Sequence, residues 1–249
     1  MLSIRSVRIY ISYPNNIGSK RTDTCNRGNV MEWIKNYQLF LFDFDGLLVD
    51  TEHMHYKAYL LMCKNRGFEL VWSFQDFTNI AHFNAVGLKE NIYSTLPSLQ
   101  ELEPNWSVLY KEKQALYQQM LVSEGVFLMP GVEAFLTMLE KQNIKRVVVT
   151  NSVKTQTDLI ISFNPLLKTI PYWITREQYI NPKPAGDCYQ LALKRHCLPG
   201  ERAIGFEDTP RGIQALQQSA ADAVLISPNK YEGLGVKHYF SFDKIESLL

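Results

Sequence analysis

The sequence predicts an α/β fold: a parallel sheet covered by helices on both faces, with a separate all-helical insert. Short apolar runs bounded by turn residues read as strands near 37 to 43, 145 to 150, 171 to 174, 202 to 206 and 223 to 226. Stretches of helix period lie between them, and strands alternating with helices over short connections argue for a parallel sheet. Between Thr51 and Met129 no comparable strand occurs.

The first strand is Tyr37-Gln-Leu-Phe-Leu-Phe42, and it closes on Asp43-Phe-Asp45-Gly46. Two carboxylates two residues apart therefore sit at the end of a buried strand, although turn geometry alone also favours Asp and Gly there. A helix then starts near Glu52, runs through Met54, Ala58, Leu61 and Met62, and stops at Arg66-Gly67. Pro104-Asn-Trp-Ser-Val-Leu-Tyr-Lys-Glu-Lys-Gln-Ala-Leu-Tyr-Gln-Gln-Met-Leu121 reads as a long amphipathic helix. Structureless connections beyond about 15 residues are uncommon in compact domains, so this insert is expected to be a small domain of its own.

After Pro130-Gly131, Val132, Phe135, Leu136 and Leu139 keep helix period. Arg146-Val-Val-Val149 ends in Thr150-Asn151-Ser152, Lys183 lies within Asn-Pro-Lys-Pro-Ala, and Ala203-Ile-Gly-Phe206 closes on Glu207-Asp208. Tyr189, Leu191, Ala192 and Leu193, then Ile213, Ala215 and Leu216, supply further helix faces. Ligands of such sheets collect at the carboxyl ends of the strands, where the acidic and Thr clusters fall.

With 249 residues, 46% hydrophobic and 20% charged, the chain can bury one substantial core and carry a smaller lobe. A net charge of +1 gives no overall field to attract a nucleic-acid polymer or an anionic membrane. No run reaches the roughly 18 apolar residues that span a bilayer. Cys25, Cys63, Cys188 and Cys197 show neither metal-type pairing nor a disulfide framework, so reduced thiols and a cytoplasmic location are expected. Residues 1–36 lie ahead of the fold as an N-terminal extension. In residues 1–30, Arg5, Arg8, Lys20, Arg21 and Arg27 face the single acid Asp23. That composition suits an organelle-targeting leader or a translated upstream region with Met31 as the natural start, and the second is preferred.

Phosphate monoesters hydrolyse extremely slowly unaided, so a catalyst needs a positioned nucleophile, charge neutralisation and leaving-group protonation together. Asp43 can attack phosphorus to form an aspartyl-phosphate, and Asp45 can protonate the leaving oxygen and then deprotonate water. Asp43, Asp45, Glu207 and Asp208 would repel one another if they converge, which calls for a hard cation, Mg2+. Asp43 and Asp208 would bind it directly, Asp45 through its backbone carbonyl, and Glu207 would complete or support the set. Lys183, the Thr150 hydroxyl and the Asn151 backbone N–H would hold the phosphoryl oxygens.

In this order, Asp43-Phe-Asp-Gly-Leu-Leu-Val-Asp-Thr-Glu52, Thr150, Lys183 and Gly205-Phe-Glu-Asp-Thr-Pro-Arg-Gly212 resemble the motifs of the haloacid dehalogenase superfamily. The similarity covers about 37 to 249. It implies a Rossmann-like catalytic core from 37–50 and 130–249 and a helical cap at 51–129, as in the beta-phosphoglucomutase and small-sugar-phosphatase branch. Dehalogenases of that superfamily lack an acid two residues after the nucleophile, so Asp45 argues for phosphorus chemistry. The Schiff-base lysine of phosphonatases has Lys57 and Lys64 as candidates, neither of them marked. The mutase branch carries a cap arginine where this chain has Leu88, with Lys89 beside it, which favours a hydrolase, although His55 matches a mutase histidine near the hinge.

The resemblance thus implies a Mg2+-dependent phosphatase acting on a small phosphorylated metabolite. Sugar-like substrates are preferred, with nucleotide or pseudouridine monophosphates next. A phosphosugar mutase is the alternative enzyme, and an inactive fold acting as a binding protein the third reading. Beyond the motifs, His53 and His55 do not share a helix face and so do not form a metal pair. Lys89, Asn84 and His82 could face the substrate from the cap but read as solvated. Trp33, Trp72, Trp106 and Trp173 read as packing residues and His196-Cys197 as no metal site, while Arg211 anchors a helix start or contacts the cap, the structural role being preferred.

Overall fold

The computed structural model describes residues 32–83 and 87–245; the basic leader, Cys25 and Asn84 lie outside them. Six parallel strands form one sheet: β1 (Leu39–Phe42), β2 (Lys145–Val149), β3 (Tyr172–Ile174), β4 (Ala203–Glu207), β5 (Asp222–Ile226) and β6 (Lys237–Tyr239), in the order β3-β2-β1-β4-β5-β6. All four residues of β1 are buried, because the central strand of a parallel sheet is covered on both faces. Phe40 and Phe42 point to one side, where Phe42 stacks on Phe206 at 5.4 Å and both rings meet Phe135. Leu39 and Leu41 point to the other, into a cluster with Tyr189 and Leu216.

Between β1 and β2 the chain builds helices α1 (Glu52–Asn65), α2 (Phe74–Ala81), α3 (Gly87–Thr95), α4 (Pro97–Leu102) and α5 (Trp106–Glu124). The first ends at Arg66, with Gly67 at φ +86° just beyond. Ser73 and Asp76 form a reciprocal capping box at the start of α2, and Asn105 caps α5. These helices bury a core of their own around Tyr59, Met62, Phe77, Ile92 and Leu109. The segments that leave and re-enter the sheet lie side by side: Asp50 N–H donates to the Phe127 carbonyl at 2.9 Å, and Met129 N–H to that of Leu48 at 3.0 Å.

The remaining helices, α6 (Val132–Lys141), α7 (Lys154–Phe163), α8 (Asp187–His196) and α9 (Pro210–Gln217), cover the sheet. Two departures from the sequence reading have simple causes. The strand β6 escapes detection because Lys237-His-Tyr239 is a short edge strand whose side chains are exposed or half-buried. Trp33 and Ile34, read as extension, are buried in a short 3-10 turn, Trp33–Asn36, with Trp33 stacked on Phe135 at 6.3 Å. Among the described residues no helix is long and apolar enough to cross a membrane.

Candidate active site

Every strand-end cluster named from the sequence converges at the carboxyl edge of the sheet, on the floor of a cavity of about 460 Å³ roofed by the helical insert. Strand β1 delivers Asp43, whose own N–H donates to the Phe206 carbonyl at 3.0 Å. Oxygens of Asp43, Glu207 and Asp208 lie within 4.8 Å of one another, all three residues being buried. Lys183 is paired with two of them, Asp43 and Glu207. Its Nζ donates to Asp43 Oδ1 at 2.5 Å, Glu207 Oε1 at 2.7 Å, the Val149 carbonyl at 2.8 Å and the Tyr189 hydroxyl at 3.1 Å.

Two glycines make this crowding possible. A Cβ on Gly46, at φ +83°, would lie 2.3 Å from Asp208 Oδ2, and one on Gly212 would lie 1.9 Å from Glu207 Oε2. Asn151 works as a brace, its Oδ1 accepting from the Lys183 N–H at 3.2 Å and the Tyr179 hydroxyl at 2.7 Å. Thr150 Oγ1 accepts from Ser152 N–H at 2.9 Å and lies 3.5 Å from Asp45 Oδ2.

Burial, then repulsion from Glu207 and Asp45, pushes the Asp43 carboxyl up to about 7 despite Lys183. Burial and the charge of Asp43 likewise raise Asp208 well above the carboxylate range. For Lys183 burial pulls downward, but the Asp43 and Glu207 carboxylates outweigh it and keep the ammonium charged. One ammonium thus faces three carboxylates whose donors are all hard oxygens, a set that fits a small divalent cation.

Asp45 has a different environment. Ser152 Oγ donates to its Oδ2 at 2.6 Å and Thr51 Oγ1 to its Oδ1 at 2.8 Å, while His55 Nε2 stands 3.9 Å away. Burial works to raise its pKa, yet His55 and the two hydroxyls outweigh that and hold it below the usual range. His55 lies flat against Tyr117, 4.0 Å between rings, and its Nδ1 contacts Lys113 Nζ at 2.6 Å. Burial and the neighbouring Lys113 lower the His55 pKa. Lys113 itself, 3% exposed on α5 and bordered by the Tyr59 and Tyr117 rings, is depressed by burial to about 7.

Lys89 is exposed and does not line the cavity; its neighbour Leu88 does, since adjacent helical residues point about 100° apart. His82, read as solvated, is buried between Glu52, which its Nε2 contacts, and Tyr231, whose hydroxyl is 2.5 Å from Nδ1. None of the four tryptophans lines the cavity, in keeping with a packing role. Lys113, Thr51, Ser152, Arg176 and Arg211 were given no part in the site by the sequence reading. Lys113 sits within Lys-Glu-Lys on an amphipathic helix, where nothing separates a buried lysine from a solvated one.

A parallel α/β core that gathers acids and a lysine at its strand ends beneath a helical roof is an arrangement shared by a family of hydrolases. The chain belongs to the haloacid dehalogenase-like hydrolase family, whose model matches residues 40–226. Protein CbbY of Rhodobacter capsulatus is 25% identical over 196 residues, covering 77% of this chain and 85% of that protein. A phosphorylated carbohydrates phosphatase of Thermotoga maritima is also 25% identical, over 191 residues, covering 74% of this chain and 82% of the relative. The crystal structure of CbbY from Rhodobacter sphaeroides in complex with phosphate shares the fold, with a TM-score of 0.70 at 18% identity, covering 85% of this chain and 97% of that one.

Proposed function

We propose that the chain is a Mg2+-dependent phosphatase that hydrolyses a small, sugar-like phosphate monoester through an aspartyl-phosphate on Asp43. The carrying observation is the buried Asp43 carboxylate at the end of β1, bonded to Lys183 and crowded by Glu207 and Asp208. The family and the relatives named as phosphatases support the reaction class, and a cavity of about 460 Å³ suits a metabolite rather than a polymer. In this reading residues 51–129 act as a cap over a core of 37–50 and 130–249.

Asp43, Glu207, Asp208 and the Asp45 carbonyl would hold Mg2+, which supplies positive charge to the developing phosphoryl oxygens. Asp43 attacks phosphorus while Lys183, the Thr150 hydroxyl and the Asn151 N–H hold the transferring group. Asp45, held ionised by His55, Ser152 and Thr51, takes up a proton from solvent as substrate binds, hands it to the leaving oxygen, then takes one from the water that breaks the acyl-phosphate. Thr51 and Ser152 fix its carboxylate through Oδ1 and Oδ2, and His55, braced by Tyr117 and Lys113, faces Oδ1. Leu88 gives the cap side an apolar wall where the mutase branch carries an arginine, which supports hydrolysis over transfer to a second hydroxyl.

Inorganic phosphate release from a panel of phosphorylated metabolites tests this reading. Release from at least one sugar phosphate is expected, falling at least 100-fold when EDTA removes divalent ions. Conversion of a hexose phosphate to its isomer without phosphate release would overturn the hydrolase in favour of the mutase. No turnover of any ester would favour a binding protein.

Lys113 carries a separate expectation. Because its folded-state pKa lies below that of an unfolded lysine, the unfolded chain binds the proton more readily. The resulting cost is absent above roughly pH 10.4, grows as pH falls, and is complete below about 7. Lys113→Met is therefore expected to stabilise the fold near pH 6 by on the order of 3 kcal/mol, the lost His55 hydrogen bond being set against the gain. That gain should fade in melts recorded toward pH 10, while kcat drops roughly tenfold as His55 loses its brace.

A further inference from the structure

We propose that Arg211 receives an anionic group on the leaving alcohol, so that the ester cleaved here carries a second negative charge, a carboxylate or another phosphate. This rests on the phosphatase reading above and specifies its substrate class.

Arg211 is the second residue of α9, and the helix start does not need its side chain. Thr209 Oγ1 already caps the turn by accepting from Gly212 N–H at 3.2 Å, and Pro210 occupies the first position. The Arg211 backbone N–H donates to the His82 carbonyl at 3.2 Å, tying the core to the insert. Its half-buried side chain lines the cavity, close enough to Tyr59 on α1 for the guanidinium charge to act on that phenol.

The other cations of the cavity are committed. Lys183 is held by Asp43, Glu207, the Val149 carbonyl and Tyr189. Arg176 donates to the carbonyls of Tyr179 at 2.8 Å and Ile180 at 3.1 Å. Lys113 is bonded to His55. Among the cations lining the cavity, Arg211 alone has a buried Nε without an acceptor, and among the described residues no carboxylate pairs with it. Glu207 and Asp208 are near in sequence but turned away, Glu207 to Lys183 and Tyr189, Asp208 into the carboxylate cluster.

A guanidinium does not give up its proton, so this charge persists in the cavity until an acceptor arrives. Its planar fork matches the paired oxygens of a carboxylate or phosphate. Tyr59, Phe77 and Leu88 supply apolar wall in the same cavity, suited to the carbon skeleton between two charged ends.

The test compares wild type, Arg211→Met and Arg211→Lys on phosphogluconate (carboxylate), fructose bisphosphate (second phosphate) and sorbitol phosphate (uncharged leaving group). Phosphate release with Mg2+ gives kcat/KM, and calorimetry in an Asp43→Asn background gives affinity without turnover. Wild type should prefer at least one anionic probe over sorbitol phosphate by tenfold or more, and the probe that wins identifies the anion. Arg211→Met should cut that preference about 30-fold and Arg211→Lys by less, keeping the charge but losing the fork. Equal losses on all three probes, or no preference in wild type by either readout, would overturn the inference. Arg211-dependent binding of an anionic probe with no phosphate release from any of the three would instead sink the phosphatase reading and leave the anion site standing.

Discussion

Asp43→Asn is expected to lower kcat by roughly 10,000-fold or more on every substrate, because the amide cannot form the acyl-phosphate. The fold should survive. Asn keeps an oxygen able to accept from Lys183 and removes a carboxylate whose ionisation burial and Glu207 already oppose. Its melting temperature should therefore stay within a few degrees of wild type, so that lost activity cannot be assigned to lost structure. Wild-type stability carries the signature of the same group. With a folded-state pKa near 7 and an unfolded one near 3.9, Asp43 binds its proton more tightly when folded, so its contribution worsens as pH rises between those values.

Lys183→Met is expected to fail in both respects. Activity should fall by about 1,000-fold or more through loss of the cation on the phosphoryl oxygens. Stability should fall by about 3 to 5 kcal/mol, since Asp43 and Glu207, both buried, lose their shared counter-charge. Without the cation that lowers it, the Asp43 pKa would rise further, so the deficit should be smallest in acid and grow as pH rises through the carboxylate range. Chemical denaturation of the variant at pH 5 and pH 8 checks this. A deficit independent of pH would mean that Lys183 matters for packing rather than for charge.

The contrast between these variants follows from what the sequence does and does not encode locally. Strand ends were legible because β1 and β4 are continuous apolar runs that stop abruptly at acids, so Asp43 and Glu207-Asp208 could be placed at the sheet edge from period and punctuation alone. The long helix α5 was equally legible, but which of its residues face the cavity, Tyr110, Lys113 and Gln114, was not. Lys113 turns inward because Tyr59 and Tyr117 present ring faces and His55 an acceptor, all supplied by other segments or other turns.

Lys89 shows the reverse error. A position next to Leu88 was legible, but which of two adjacent residues faces the cavity depends on how α3 is rolled against its neighbours. His82 and Arg211 are joined across the interface between insert and core, a relation that no local pattern carries. The short edge strand β6 has too few apolar residues to announce itself.

The central claim is that Asp43 captures the phosphoryl group, and trapping the phosphoenzyme tests it most directly. Asp45→Asn slows the water step, and an aryl phosphate needs no proton on its leaving group, so the intermediate should accumulate. Acid quench and peptide mass spectrometry should then find one phosphoryl group on the peptide containing Asp43, and none when Asp43→Asn is added. A phosphoryl group on any other side chain, or phosphate released with no phosphoenzyme at any time point, would contradict the account.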